Sequence, residues 1–148
     1  IRMDSNGHPI RTMNIKHGYA IQLAAKQGIR LAILTGGKDD SIVYRYSKLG
    51  MKDIFMGAAV KISIYEDYCK KNGLTDEEII YVGDDIPDYE IMSRVGCSCC
   101  PSDACSDIKD ISTYVSPNTG GNGCVRDILE QVLRAKGLWL SSAKAFGW

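Results

Sequence analysis

The chain has 148 residues, 18 basic and 18 acidic side chains, and a hydrophobic fraction of 45%. That length fits one domain with its own core, and the cancelled charge removes the electrostatic basis for binding nucleic acid or an anionic membrane. No apolar run is long enough to span a bilayer and no signal-peptide pattern opens the sequence, so the expectation is a cytoplasmic protein.

Residues 1–15 read as a β-hairpin turning on Asp4-Ser5-Asn6-Gly7, in a chain that opens in mid-pattern with Ile1, as expected of a fragment or an incompletely recorded chain. From Gly18 the apolar spacing becomes helical, ending near Gly28. A buried-strand candidate, Ile29 to Leu34, then runs into Thr35-Gly36-Gly37-Lys38. A threonine hydroxyl and the free N–H groups of a glycine turn opening a helix make a phosphate cradle, although an ordinary tight turn explains the same residues. A helix is expected over residues 39–49, a short strand at Asp53 to Met56, and a helix from about Val60 to Asn72. Lys61 falls in the first turn of that helix, where cations are disfavoured, so it either points to solvent or has an anionic partner.

The most informative stretch follows. Ile79-Ile80-Tyr81-Val82 reads as a strand covered on both faces, and it runs into Gly83-Asp84-Asp85-Ile86-Pro87-Asp88. Ligands of open α/β sheets bind beyond the carboxyl ends of strands, so the three acids stand where chemistry is expected. Acids this close repel one another unless a cation or protons relieve them, and their hard oxygens suit magnesium. The alternative is that Asp85 and Asp88 cap the next helix, with Pro87 in its first turn.

That helix should end near Val95, ahead of a strand containing Cys97-Ser98-Cys99-Cys100. Strand alternation puts Cys97 and Cys99 on one side and Cys100 on the other, and zinc-ribbon spacing is absent, so the six cysteines read as structural thiols. A strand at Thr113 to Val115 leads to the glycine-rich loop 118–123, which lacks a P-loop lysine and reads as a flexible, anion-tolerant turn. A last helix spans about Cys124 to Lys136 with Val125, Ile128, Leu129, Val132 and Leu133 on its apolar side. The aromatic tail from Leu138 to Trp148 is expected to dock on this domain or on a neighbouring subunit. Alternating strands and helices indicate a single α/β domain over residues 1–148 with a mostly parallel sheet.

With these residues placed, the pattern resembles the haloacid dehalogenase superfamily, and within it the 3-deoxy-D-manno-octulosonate 8-phosphate (KDO 8-phosphate) phosphatase family. The resemblance runs over residues 1–137. It rests on Thr35-Gly36 and Lys61 at strand ends, the Gly-Asp-Asp-x-x-Asp run ending at Asp88, and the Gly-Gly-x-Gly-x-x-Arg run ending at Arg126. It implies a capless three-layer Rossmannoid fold whose hairpin serves oligomerisation in a homotetramer, and a magnesium-dependent phosphomonoesterase of lipopolysaccharide biosynthesis acting on a phosphorylated sugar acid. Thr35 and Gly36 would hold the phosphoryl group and Lys61 would balance its charge. Asp84 would bind Mg2+, with Asp85 and Asp88 holding the metal shell and Lys61. Arg45 and Lys48 would face the substrate carboxylate. The family's nucleophilic and acid/base aspartates lie on an Asp-x-Asp strand before the hairpin, and the sequence starts after that point. His17 and Gly37 also depart from the family pattern. The resemblance leaves open a nine-carbon sialic-type acid 9-phosphate as substrate and a domain attached to a cytidylyltransferase. A non-catalytic oligomerisation or binding module is the reading from a different class.

Overall fold

The computed structural model describes residues 2–7, 9–10 and 12–141. Strands β1 (Arg2–Met3) and β2 (Pro9–Ile10) form the expected antiparallel hairpin, closed by the Gly7 N–H donating to the Asp4 carbonyl at 3.1 Å. Helix α1 (Lys16–Lys26) follows. Its fully buried Ala24, with Leu23, packs on Leu133 of α6 (Cys124–Ala135), and Tyr19, Leu129 and Trp139 surround the contact. Trp139 meets Tyr19 edge-to-face at 5.6 Å, so the first part of the aromatic tail docks on its own domain; residues 142–148 of that tail lie outside the described residues.

Strands β3 (Ala32–Leu34) and β4 (Asp53–Phe55) pair in parallel, with α2 (Asp40–Ser47) between them in the chain. Helix α3 (Lys61–Asn72) ends at Gly73, whose φ of 63° is the left-handed conformation a helix terminus asks of glycine. A 3-10 turn (Asp76–Glu78), closed by a Thr75/Glu78 capping box, delivers the chain into β5 (Ile80–Val82). Parallel pairing continues from β5 to β6 (Cys97–Cys100) and from β6 to β7 (Tyr114–Val115). Between β5 and β6 lie a 3-10 turn (Ile86–Asp88) and the short helix α4 (Tyr89–Met92). Helix α5 (Ser106–Ile111), absent from the sequence reading, buries Ile108 against Met92, Cys100 and Ala104 behind the acidic loop.

The α/β class and the parallel strands agree with the sequence. The parallel strands form two sheets, β3-β4 and β5-β6-β7, and no described strand joins them. A cleft of about 1870 Å³ runs between β3 and β5, floored by Ile128, Leu129 and Val132 of α6. For that reason β5 is not covered on both faces: Ile80 and Val82 are 45% and 38% exposed. The cysteines behave as small apolar residues, with Cys99 and Cys100 almost wholly buried and all six free.

Candidate active site

The acids of residues 84–88 have three different environments. Asp85 is the N-cap of the 3-10 turn, its Oδ1 accepting from the Ile86 N–H at 2.9 Å, with Pro87 in the first turn. The capping alternative therefore describes Asp85. Asp88 gives the following helix no side-chain cap. It is 3% exposed, and its Oδ1 accepts from Lys61 Nζ at 2.6 Å and from the Tyr81 hydroxyl at 2.7 Å, while Oδ2 accepts from the Asp84 N–H at 3.3 Å. Lys61, first residue of α3, thus takes the second of its two options, an anionic partner rather than solvent. The pair is buried, with side-chain exposures of 16% and 4%, so the charges must satisfy each other. Asp88 in turn pushes the Tyr81 phenol well above its usual range, after burial and through their hydrogen bond.

The Asp84 carboxyl is shifted upward, first by burial and then by the charge of Asp88, with Lys61 opposing. Its backbone carbonyl accepts from the Cys105 N–H at 3.0 Å, which holds the loop against the start of α5. Gly83 explains itself sterically. A Cβ there would stand 2.5 Å from the Asp88 Cβ and 2.7 Å from the Met92 Sδ. The glycine lets the chain turn across Asp88 so that Asp84 projects at the end of β5.

Among the described residues no group of three His, Cys, Asp or Glu is gathered to hold a metal, and the family resemblance gives the metal to Asp84 alone. The donor set still fits a hard cation in part. Asp84 offers a carboxylate destabilised by its acidic neighbours, and magnesium commonly uses one or two carboxylates, substrate phosphate and water.

Thr35 sits at the end of β3 and shares the lining of the cleft with Asp84. Its Oγ1 accepts from the Gly37 N–H at 3.1 Å, so this donor of the expected cradle is spent within the turn, leaving the hydroxyl hydrogen to donate. The glycines do not open α2, which starts at Asp40, capped by the Asp39 carboxylate accepting from the Ser41 N–H at 2.9 Å. Gly36 is exposed in the turn. Arg45 also lines the cleft, whereas the Lys48 ammonium lies outside that lining, 4.0 Å over the Tyr44 ring and 2.5 Å from its hydroxyl.

His17 enters the site architecture in a way its sequence position did not reveal. It is 3% exposed, and its Nε2 accepts from the Gly123 N–H at 2.8 Å. Burial, then the neighbouring Arg126 charge, lowers its pKa, consistent with a neutral ring accepting at Nε2. The Asn14 N–H donates to the Gly121 carbonyl at 3.2 Å, and the Gly120 N–H donates to Asp103 at 2.7 Å. The glycine loop, expected to be a flexible, anion-tolerant turn, is pinned from both sides. Arg126 braces the same junction, donating to the Lys16 carbonyl at 3.1 Å and to Glu130 at 3.0 Å while lying over Trp139.

The family model for haloacid dehalogenase-like hydrolases matches residues 41–128, which carry Lys61 and the acids of the 84–88 loop. The chain belongs to the haloacid dehalogenase-like hydrolase family. Among curated hydrolases of this family, the 3-deoxy-D-manno-octulosonate 8-phosphate phosphatase KdsC of Escherichia coli K12 is 33% identical over 137 residues, covering 93% of this chain and 73% of the relative. Its counterpart structure from Moraxella catarrhalis, in complex with magnesium, phosphate and KDO, superposes with a TM-score of 0.88 at 29% identity, over 93% of this chain and 79% of that one. The cobalt-bound deoxy-D-mannose-octulosonate 8-phosphate phosphatase of Haemophilus influenzae gives a TM-score of 0.88 at 28% identity, over 98% and 86% of the two chains. A haloacid dehalogenase-like hydrolase with these relatives is a hydrolase of phosphate monoesters.

Proposed function

We propose that this hydrolase removes phosphate from KDO 8-phosphate, with Asp84, Lys61, Asp88 and Thr35 as its phosphate- and metal-handling residues. The observation that carries the reading is the buried Lys61–Asp88 pair beside Asp84, a cation held at a helix start where it has no local reason to be. Similarity to KDO 8-phosphate phosphatases, one of them holding KDO, phosphate and magnesium together, supports the substrate class of phosphorylated sugar acids.

Asp88 fixes the Lys61 ammonium through one charge-assisted hydrogen bond, at an oxygen that the Tyr81 hydroxyl also holds, so its position is set before substrate arrives. From there Lys61 counters the negative charge of a phosphoryl group bound at the strand ends. The Thr35 hydroxyl, oriented by the Gly37 N–H, donates its hydrogen to the same group. Asp84 would hold Mg2+, which when bound supplies charge neutralisation at the phosphate oxygens. Asp85 shapes the loop by capping. Arg45 is one of the basic residues lining the cleft and the one that the family resemblance suits to the substrate carboxylate, and Gly36, exposed in the turn after β3, would allow close approach of the phosphate. The nucleophile in this reading is an aspartate of the Asp-x-Asp strand that the family resemblance implies ahead of the hairpin. A homotetramer assembled through the hairpins belongs to the same reading.

Phosphate release from KDO 8-phosphate by the full-length protein with magnesium tests it. Activity should vanish on chelation and in Asp84→Ala. Release from a nine-carbon sialic-type acid 9-phosphate, with none from KDO 8-phosphate, would contradict the substrate while leaving the chemistry standing.

A further inference from the structure

Strand alternation puts Cys97 and Cys99 on one side of β6, and their sulfurs stand 3.7 Å apart, in van der Waals contact. Both are free thiols. They cluster with Cys124 and Ile128 of α6 and with Tyr114, a group that contains none of the residues assigned to phosphate or metal. The two differ in access. Cys99 is 2% exposed, whereas Cys97 is only half-buried. Burial, then the neighbouring Cys97, pushes the Cys99 thiol up to about 12, so it stays protonated while its partner meets solvent. Cys100 lies on the opposite side of the strand, fully buried among Met92, Ala104 and Ile108.

We propose that Cys97 and Cys99 form a peroxide-sensitive thiol pair that closes to a disulfide within β6 and thereby disturbs the turn carrying Asp84. Cys97, as thiolate, attacks one peroxide oxygen: the S–O bond forms, the O–O bond breaks, and hydroxide leaves and takes a proton to become water. The Cys99 sulfur then attacks the sulfenic sulfur of Cys97. The S–S bond forms as the S–O bond breaks, and the hydroxyl departs as water with the Cys99 proton. Two thiols thus lose two electrons and two protons, and one peroxide becomes two waters. A strand rise of about 3.3 Å per residue sets Cα atoms two residues apart at about 6.6 Å, longer than the roughly 5.5–6 Å most disulfides span. Closure therefore draws residues 97 and 99 together and puckers β6 at Ser98. The ladder bonds beside the pair take up the change: the Cys97 N–H donates to the Ile79 carbonyl and the Gly83 N–H to the Cys99 carbonyl, each at 3.1 Å. Gly83 precedes Asp84, so the pucker reaches the carboxylate assigned to the metal. Closure of the thiol pair stands apart from the phosphatase reading; only the loss of activity rests on it.

The test treats the full-length protein with hydrogen peroxide, blocks the remaining thiols with N-ethylmaleimide, and maps the cysteines by mass spectrometry. The expected product has lost two alkylatable thiols, carries the new bond between Cys97 and Cys99, and regains both thiols in dithiothreitol. Phosphate release from KDO 8-phosphate in magnesium should fall several-fold on oxidation and return on reduction. Cys97→Ser, a change at a half-buried position, should unfold at the parent's midpoint and keep its activity in peroxide. Thiols that all survive peroxide, a bond to Cys100, Cys105 or Cys124 instead, or oxidation of Cys97 that never reaches Cys99 would each overturn the proposal. So would a Cys97→Ser protein that loses activity in peroxide as the parent does. Unchanged activity in a protein whose Cys97–Cys99 bond has formed would overturn the coupling to Asp84. Bond formation in a protein that releases no phosphate from any phosphorylated sugar acid, oxidised or reduced, supports the thiol pair and counts against the phosphatase reading.

Discussion

Asp88 is the residue on which the site's charge balance turns. It accepts from Lys61, Tyr81 and the Asp84 backbone while almost fully buried, so removing one charge leaves the other stranded. Lys61→Met should lower stability by about 3–5 kcal/mol in denaturant unfolding, and Tyr81→Phe by about 1–2 kcal/mol, since the lysine still covers the carboxylate. At the other end of the site, His17 makes stability depend on pH. Its folded pKa is lowered, so below the ordinary histidine value of 6.5 the unfolded chain binds the extra proton first. The stabilisation from this histidine is therefore present above about pH 6.5 and drains away as pH falls through the lower folded value. His17→Gln, which can still accept from the Gly123 N–H through its amide oxygen, should flatten that part of a stability profile taken between pH 5 and 7.5 in round figures. Neither role of His17 was legible beforehand, because its partner Gly123 is 106 residues away and is a backbone group. The role of Lys61 was legible, because a lysine in a helix's first turn poses a local electrostatic question with few answers.

At the level of elements, the glycine before the acids has a use that composition could not distinguish from flexibility. Gly83→Ala places a Cβ within 2.5 Å of Asp88 and 2.7 Å of Met92. It should cost about 1–3 kcal/mol by overpacking. Because the clash is with the residue that holds Lys61, activity should fall more than stability, which comparing unfolding midpoints with phosphate release will separate. Most strands and helices were readable, since the apolar period changes cleanly between 2 and 3.6 along the chain. Their ends were less so: β3 and β5 are shorter than their apolar runs, because pairing rather than hydrophobicity sets strand length. Helix α5 was missed, its six residues carrying too few apolar positions to show a period. The Thr35 turn also differs from its reading, because Asp39 rather than glycine caps α2.

Over the whole molecule, the α/β class and the order of the motif residues follow from the sequence. A run such as Ile79 to Val82 looks the same at the edge or in the middle of a sheet, and only pairing shows that β5 is an edge among the described strands. The geometry brings Thr35 and Asp84 to one cleft and ties Lys61 to Asp88 beside them, a division of labour that suits a phosphate monoester between a cation and two strand ends. The measurement that tests this most directly is phosphate release from KDO 8-phosphate by the full-length protein with magnesium, set against Asp84→Ala. Release by the parent that disappears in the variant, with its unfolding midpoint retained, is the predicted result. Release that survives Asp84→Ala, or a parent inactive on every phosphorylated sugar acid offered, would contradict the account.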